Sequence, residues 1–280
     1  MADQAPAKSK KGGPDLISVA GLIVAVGGIL GGLILEGGQL RDVAQVTAAV
    51  IVLGGTAGAV MVSTPGAVLK GALKRMAGVF HDSAPPIESL IEEIVGYASK
   101  ARKTGLVSLE NEADSASDPF LGKAMTLAVD GTDLQEIRAM LELESSVSEH
   151  HAEAEAKVFE SAGGYAPTVG IIGAVLGLIQ VMKNLANIDQ VGHGIAVAFV
   201  ATVYGVGLAN LYLLPVASKI KARAHAETNR RDLIVEGVSG IVEGLNPKLL
   251  RVKLEAYAHA VPPKAKGKGA KGSVRNPVEA

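Results

Sequence analysis

The side chains of this sequence that could handle an ion or a proton are few, small and set in apolar surroundings. Thr168 and Gln180 fall in one uncharged run of about twenty residues, and Thr202, Tyr204 and Asn210 fall in another. Their oxygens can replace part of a cation's hydration shell, although a Thr hydroxyl in a helix also bonds readily to its own backbone. Neither run contains Asp, Glu, Lys or Arg. An ionisable group at the centre of a bilayer costs about 2.5–3.5 kcal/mol on insertion scales, so such groups mark ion pathways where they occur. If ions cross here, the carboxylate must come from another polypeptide.

Other chemistries find no support. His150 and His151 stand among Glu149, Glu153 and Glu155, but adjacent helical histidines point about 100° apart and no H-E-x-x-H spacing is present, so they read as a solvated helix face. The absence of cysteine excludes disulfides, thiolate metal sites and a thiol nucleophile. The glycine runs carry no Walker signature, and no grouping of Ser, His and acid stands out. A net charge of −1 gives no basic field for nucleic acid. No enzyme activity and no cofactor are expected.

The polar residues need elements to position them. The two runs form a hairpin over 161–216, with a polar break at Lys183–Gly194, and each arm is long enough to cross about 30 Å of hydrocarbon. Pro167 enters the first arm and Pro215 leaves the second, where each frees a backbone carbonyl and can act as a bend. Upstream, Leu16–Leu35 and Val43–Ser63 read as two more spans joined by a polar turn at Glu36–Asp42. The first is too long for the apolar region of a signal peptide and is read as a retained span. Its Gly27, Gly28, Gly31 and Gly32 give two overlapping G-x-x-x-G spacings, which predict a close helix contact. The composition, 48% hydrophobic but still 20% charged, fits spans together with a substantial part outside the membrane.

Basic residues cluster in the N-terminal tail (Lys8, Lys10, Lys11), after span two (Lys70, Lys74, Arg75) and after span four (Lys219, Lys221, Arg223), while the short loops hold only Arg41 and Lys183. The positive-inside rule then puts both termini and the long middle loop in the cytoplasm. That loop reads as helical. Ile87, Leu90, Ile91, Ile94, Val95 and Ala98 follow helical spacing up to Gly105, and Phe120–Val129 forms another helix. Thr132 with Gln135 suggests a capping box for a helix that runs toward Phe159 and on into the third span. Beyond Pro215, Ala217–Val242 continues as a charged helix with Leu233, Ile234, Val238, Ile241 and Val242 as its packing face, followed by a short helix over Leu249–Ala260. The tail from Pro262 is rich in Pro, Gly and Lys and reads as disordered, with its lysines able to touch anionic lipid.

Four segments taken together carry a resemblance: APTVGIIGAVLGLI at Ala166–Ile179, VATVYGVGLANLYLLPVASKIK at Val200–Lys221, KARKTGLVSLE at Lys100–Glu110, and EGLNPKLLRVKLEAY at Glu243–Tyr257. In that order, with four spans, the chain resembles the MotA/TolQ/ExbB proton-channel family, in its flagellar-stator branch. The resemblance covers Leu16 to Tyr257. It implies an all-α membrane protein with four transmembrane helices, a large cytoplasmic helical loop and a cytoplasmic C-terminal helix. It also implies a ring of five copies in the bacterial inner membrane around two copies of a MotB-like, single-span, peptidoglycan-anchored partner that supplies the proton-accepting Asp. The family's two rotor-facing charges, which engage the rotor switch protein FliG, fall on Arg102 and Glu110. Its functional prolines fall on Pro167 and Pro215, and its channel hydroxyl on Thr202, with Thr168 as a further candidate. Sodium-driven relatives carry Thr where this chain has Ala174 and Ala201, so protons are the expected ion.

The expected organisation is a tail at 1–15, a hairpin at 16–63, a rotor-contacting domain at 64–160, the channel hairpin at 161–216, cytoplasmic helices at 217–260 and a basic tail at 261–280. Two other readings compete with a stator. One is an ExbB- or TolQ-like energiser of outer-membrane processes, whose three spans the additional N-terminal hairpin disfavours. The other is a helical membrane scaffold without ion flux.

Overall fold

The computed structural model describes residues 15–80 and 86–260. Both sequence-expected tails, apart from Asp15, lie outside that range. The described residues are helical throughout, with no strand, and four helical segments are long and apolar enough to cross a membrane.

Helix α1 (Leu16–Leu35) opens on Asp15, whose carboxylate accepts from the Ser18 amide at 3.2 Å. Span two is less regular than its uniform apolarity suggests. It begins earlier than expected, with α2 (Leu40–Val43), because the Asp42 carboxylate accepts from the Gln39 amide at 2.8 Å and closes a helical turn inside the segment expected to be loop. After a break at Ala44 and Gln45 come α3 (Val46–Ala49), a π turn at Val50–Gly54 and α4 (Gly55–Ser63). At the break the regular ladder gives way to a single turn bond from the Gln45 amide to the Val43 carbonyl at 3.2 Å, a thin provision in an apolar setting. Tyr204 from span four closes it: its hydroxyl donates to the Val43 carbonyl at 2.5 Å and accepts from the Gln45 amide at 3.4 Å.

Helix α5 (Gly66–Val79) follows Pro65. Helix α6 (Ile87–Thr104) shows the anticipated spacing and ends at Gly105, whose φ of 86° is the left-handed conformation that glycine adopts without strain. A 3₁₀ turn (Leu106–Leu109), α7 (Glu110–Asp114) and α8 (Pro119–Val129) follow. Helix α9 (Leu134–Lys183) then runs fifty residues without interruption, through Pro167. Its cap is Asp133, not the expected Thr132, because the charged carboxylate takes the Gln135 amide at 2.9 Å while Thr132 stays in the preceding turn.

The hairpin connection is also shorter than expected. Lys183 still closes α9, and the Asn187 side chain caps α10 (Ile188–Leu208), so Asp189 and His193 sit on helical turns and only 184–187 form the bend. A π turn (Ala209–Leu213) passes directly into α11 (Leu214–Val242), and α12 (Pro247–Ala260) ends the described chain. The expected divisions at 160/161 and 216/217 therefore fall inside continuous helical rods, and Asp15, expected in the tail, belongs to the folded part.

The largest core lies outside the spans. It packs Leu90, Ile94, Leu121, Met125, Ile137, Leu141, Leu233, Ile234, Leu250 and Leu254, joining α6, α8, the start of α9, the end of α11, and α12. A second cluster, including Val79, Phe159, Leu213 and Ile220, lies where the spans meet that domain, and a small third one (Ala48, Val52, Val200, Ala201) joins spans two and four.

Candidate functional site: the α9–α10 helix pair and its extramembrane extensions

Two apolar helices in lipid gain little from burying apolar surface against each other, so their association rests on close backbone approach. Helix α9 supplies a buried stripe of Gly163, Ala166, Gly170, Gly173 and Gly177, spaced alternately three and four apart, and α10 answers with Gly194, Ala198, Ala201 and Gly205. A Cβ placed on Gly205 would stand 2.5 Å from the Ala166 carbonyl oxygen, one on Gly170 2.9 Å from the Ala201 carbonyl oxygen, and one on Gly177 2.7 Å from the Gly194 carbonyl oxygen. The obstructing atoms are backbone, so the fit requires glycine. The stripe was present in the sequence as a 3-4-3-4 spacing of Gly and Ala. The G-x-x-x-G spacing in α1 is the more conspicuous signal, but Gly27, Gly28, Gly31 and Gly32 face open space within this chain.

Around that seam the expected ion-pathway residues separate. Thr202 lies against Gly170, half-buried, with its hydroxyl donating to its own helix at the Ala198 carbonyl, 3.2 Å away. Ala174 is half-buried beside Gly173, whereas Thr168 is exposed and bonds back to the Tyr165 carbonyl at 2.8 Å. At about 100° per residue, Thr168 stands about 160° around α9 from Gly170. The structure does not bring Thr168 and Thr202 together within one chain. Ala201 is fully buried in the seam, where the Cβ of a residue at Gly173 would come within 2.7 Å of its own, so it lines no open surface of this chain. Asn210 bonds its own helix at Val206, and the carbonyl of Gln180 accepts from Asn184. Among the described residues the apolar stretches of both helices hold no acid or base, and α9 leaves Ile171, Ile172, Val175, Leu176 and Ile179 exposed.

The prolines meet at one depth. Gly163, one turn before Pro167, packs on Leu214, the neighbour of Pro215. Pro215 stands in the first turn of α11, just past the π turn, where a missing N–H costs the helix least.

Arg102 and Glu110 flank the Gly105 turn, Arg102 in the last turn of α6 and Glu110 at the start of α7, and both are exposed. Each charge complements its helix dipole. Neither takes part in an ion pair among the described residues. Their turn is held from both sides: Leu109 is fully buried in the core, and Lys100 pairs with Glu112 across it. That pairing, through a hydrogen bond from Lys100, holds the Glu112 carboxyl below its usual range.

Several ties escaped the sequence reading. Arg230 of α11 pairs with Asp118, which also caps α8 by accepting from the Phe120 amide at 2.7 Å; the side chains are 11% and 7% exposed. Arg231 lies 5.0 Å over the Phe120 ring. Glu236 receives Arg138 at 3.1 Å and also Lys253; burial raises its carboxyl, and the two cations outweigh burial to leave it below the ordinary range. Arg251 grips Glu92 with two bonds of 2.5 and 2.6 Å. The histidine that reaches Glu149 is His225 of α11, at 2.9 Å, not His150 or His151.

Comparison with known proteins agrees with this architecture. The family model described as the MotA/TolQ/ExbB proton channel family matches residues 112–233, and that for the N-terminal part of motility protein A matches residues 19–103. Motility protein A of Bacillus subtilis is 34% identical over 247 residues, covering 88% of this chain and 92% of its own length. Chemotaxis protein PomA of Vibrio alginolyticus is 32% identical, over 87% of this chain and 95% of its own. The solved structure of C. jejuni MotAB superposes with a TM-score of 0.84 at 32% identity, covering 92% of this chain and all of the matched one, and the flagellar MotAB stator complex from Bacillus subtilis gives 0.81 at 34%, over 86% of this chain and 95% of that one. With four membrane helices, a glycine-seamed central pair and relatives aligned over most of their length, the chain belongs to the MotA/TolQ/ExbB proton channel family.

Proposed function

We propose that this chain is the ion-conducting subunit of a bacterial flagellar stator, coupling proton flow to torque on the rotor. The observation that carries the reading is the α9–α10 pair: tightly seamed, with open apolar faces and no carboxylate across its apolar stretch. A proton needs an acid to dwell on, so a second, single-span polypeptide must bring one, and a MotB-like partner fits. Each charge crossing 100 mV releases about 2.3 kcal/mol. To turn that energy into torque, the complex must be anchored against rotation, as the peptidoglycan attachment of such a partner provides. The match of residues 19–103 to the motility-protein N-terminus favours this over the three-span energiser.

In this assembly, five copies surround two partner spans in the inner membrane, with both termini and the domain at 64–160 in the cytoplasm. The channel hairpin is 161–216, and residues 217–260 extend it toward the rotor. Thr202, Thr168 and Ala174 border the ion route on faces that different copies present, since one chain does not converge them. Its lack of a hydroxyl at Ala174 suits protons. Pro167 and Pro215, level with each other, form the joint between spans and cytoplasmic rods. Arg102 and Glu110, outward on a braced turn, engage the rotor protein FliG. Co-expression with a one-span partner tests the reading. Partner-dependent proton entry that drops in Thr202→Val at unchanged abundance is expected, and equal leak with and without the partner's intramembrane acid would refute it.

A further inference from the structure

Helix α5 and the two long rods enclose a cavity of about 470 Å³ that neither the ion route nor the rotor contact uses. Its lining is chemically uneven. Lys74, Arg75 and Arg223 face it against a single carboxylate, Glu155, while Val79 and Ile220 give it an apolar floor. Arg75 spends its Nε on Glu155, and Lys74 is exposed with no ion pair among the described residues. Arg223 is held to the rim, donating to the Gly78 carbonyl at 2.7 Å and standing 3.9 Å from Asp15. The balance is an excess of two positive charges above an apolar floor.

The position of the cavity specifies what can reach it. Span two ends at Ser63, one end of α5, and the other end is tied to the start of span one by the Asp15 amide donating to the Phe80 carbonyl at 2.8 Å. Both ends of α5 thus stand at the membrane boundary, so the helix lies along the bilayer surface with the cavity open at headgroup level. Basic residues immediately outside a span attract anionic lipid, and an apolar floor accepts the glycerol and the first methylenes below the phosphate.

From this geometry we infer that the cavity binds the phosphate of an anionic glycerophospholipid from the leaflet beside α5, which the proposed topology makes cytoplasmic. Lys74 and Arg75 donate to the phosphate oxygens, and Arg223 supplies charge from the rim. A lipid seated there wedges α5 against the α9 and α11 rods just below the proline joint. It would couple lipid composition to the stability of that joint.

The test uses the full complex with its partner subunit, delipidated in detergent and returned to phosphatidylglycerol or phosphatidylcholine, with retained lipid counted by native mass spectrometry. Phosphatidylglycerol is expected to be retained about five-fold better, the factor expected for one basic residue near an anionic surface. Lys74→Gln should erase that preference and Lys74→Arg should keep it. Gly78→Leu supplies a neutral control, because a Cβ there meets open space, so the side chain fills the cavity mouth without a clash; it should lower retention by a similar factor. Equal retention of the two lipids, or a preference that survives both Lys74→Gln and Gly78→Leu, overturns the site. Displacement of the lipid by millimolar inorganic phosphate overturns the lipid assignment in favour of a free anion.

Discussion

Leu121 and Gly170 are both buried, and they are buried for opposite reasons. In the extramembrane domain, water makes apolar area costly, and the chain fills the core with large side chains: of the twelve largest fully buried ones among the described residues, only Ile220 lies outside that cluster. Between α9 and α10, the alternative to contact is lipid, which is as apolar as leucine, so the buried stripe shrinks to Gly and Ala and backbone meets backbone. Polar ties divide in the same way. The domain carries ion pairs, some half-buried and one nearly fully buried, whereas the spans use an uncharged hydroxyl, Tyr204, to mend a broken helix. A seam without side chains to interdigitate is sensitive to a single added carbon, while a core of large side chains loses stability in proportion to what is removed.

The sharpest break of this comparison is Gly205→Ala. The new Cβ would stand 2.5 Å from the Ala166 carbonyl oxygen and 3.2 Å from the Gly170 Cα, and neither is a flexible side chain that could swing aside. The seam has to open along its length, so loss of the folded protein from membranes is expected, a penalty beyond about 4 kcal/mol. Gly207→Ala, two residues on and facing open space, should leave abundance unchanged. Immunoblots of membrane fractions and thermal unfolding in detergent distinguish the pair, and equal tolerance of both would show that the seam is loose.

Next in size is Asp118→Ala, which strands Arg230 in a nearly closed site and uncaps α8. Breaking a buried pair costs about 3–5 kcal/mol, and the domain's unfolding midpoint should fall accordingly. Leu121→Ala, in the same domain, should cost about 2–5 kcal/mol by leaving a cavity. If the Leu121 variant proves neutral, the extramembrane core is not tightly packed.

Much of this architecture was legible because periodicity is a local signal. The spacing of Ile87 to Ala98, and of Leu233 to Ile241, identified the faces that the core buries. The apolar lengths identified all four spans. What periodicity cannot supply is the partner of a face. Asp118 and Arg230 are 112 positions apart, and Tyr204 and Val43 are 161 apart, so nothing in either neighbourhood announces the other. Glycines are ambiguous for a related reason: the spacing in α1 and the spacing in α9 both permit close approach, and only the fold decides which one is used within the chain. Arg102 and Glu110 were legible as exposed charges on a turn, but the bracing by Leu109 and by the Lys100–Glu112 pair was not.

In the spans, the counterpart of the Asp118 experiment is Tyr204→Phe. It keeps the ring and removes the hydroxyl that serves the Val43 carbonyl and the Gln45 amide, leaving those two groups only the 3.2 Å bond they make to each other at the break in span two. A penalty of about 0.5–1.5 kcal/mol is expected, read as a lower unfolding temperature in detergent, together with faster hydrogen exchange at residues 43–46. Unchanged exchange there would mean that other groups satisfy the break.

The smallest effect sharpens the comparison through charge, because among the described residues the ion pairs and the shifted carboxyls lie outside the apolar spans. Two carboxyls of α11 pull in opposite directions. Glu236 sits below its ordinary range: burial pushes it up, but the bonds from Lys253 and Arg138 more than offset that. Its contribution is therefore present above the unfolded carboxyl range, near pH 4.5, and is lost as pH falls through the lower folded value. Asp232 is raised, first by burial and then by the charges of Glu149 and Glu142 on α9. A raised carboxyl favours the fold while protonated, and that benefit disappears as pH climbs through its folded value, so at neutral pH the ionised Asp232 is a net strain on the α9–α11 contact. Asp232→Asn should accordingly raise the unfolding temperature at pH 7. The gain should be less than about 1 kcal/mol, since solvent still screens a half-buried group. The stabilising effect should fade as pH falls below the ordinary carboxylate range, where the side chain is protonated in folded and unfolded chains alike. A variant that is equally stabilised at both pH values would place the benefit in packing and not in relief of the repulsion from Glu149 and Glu142.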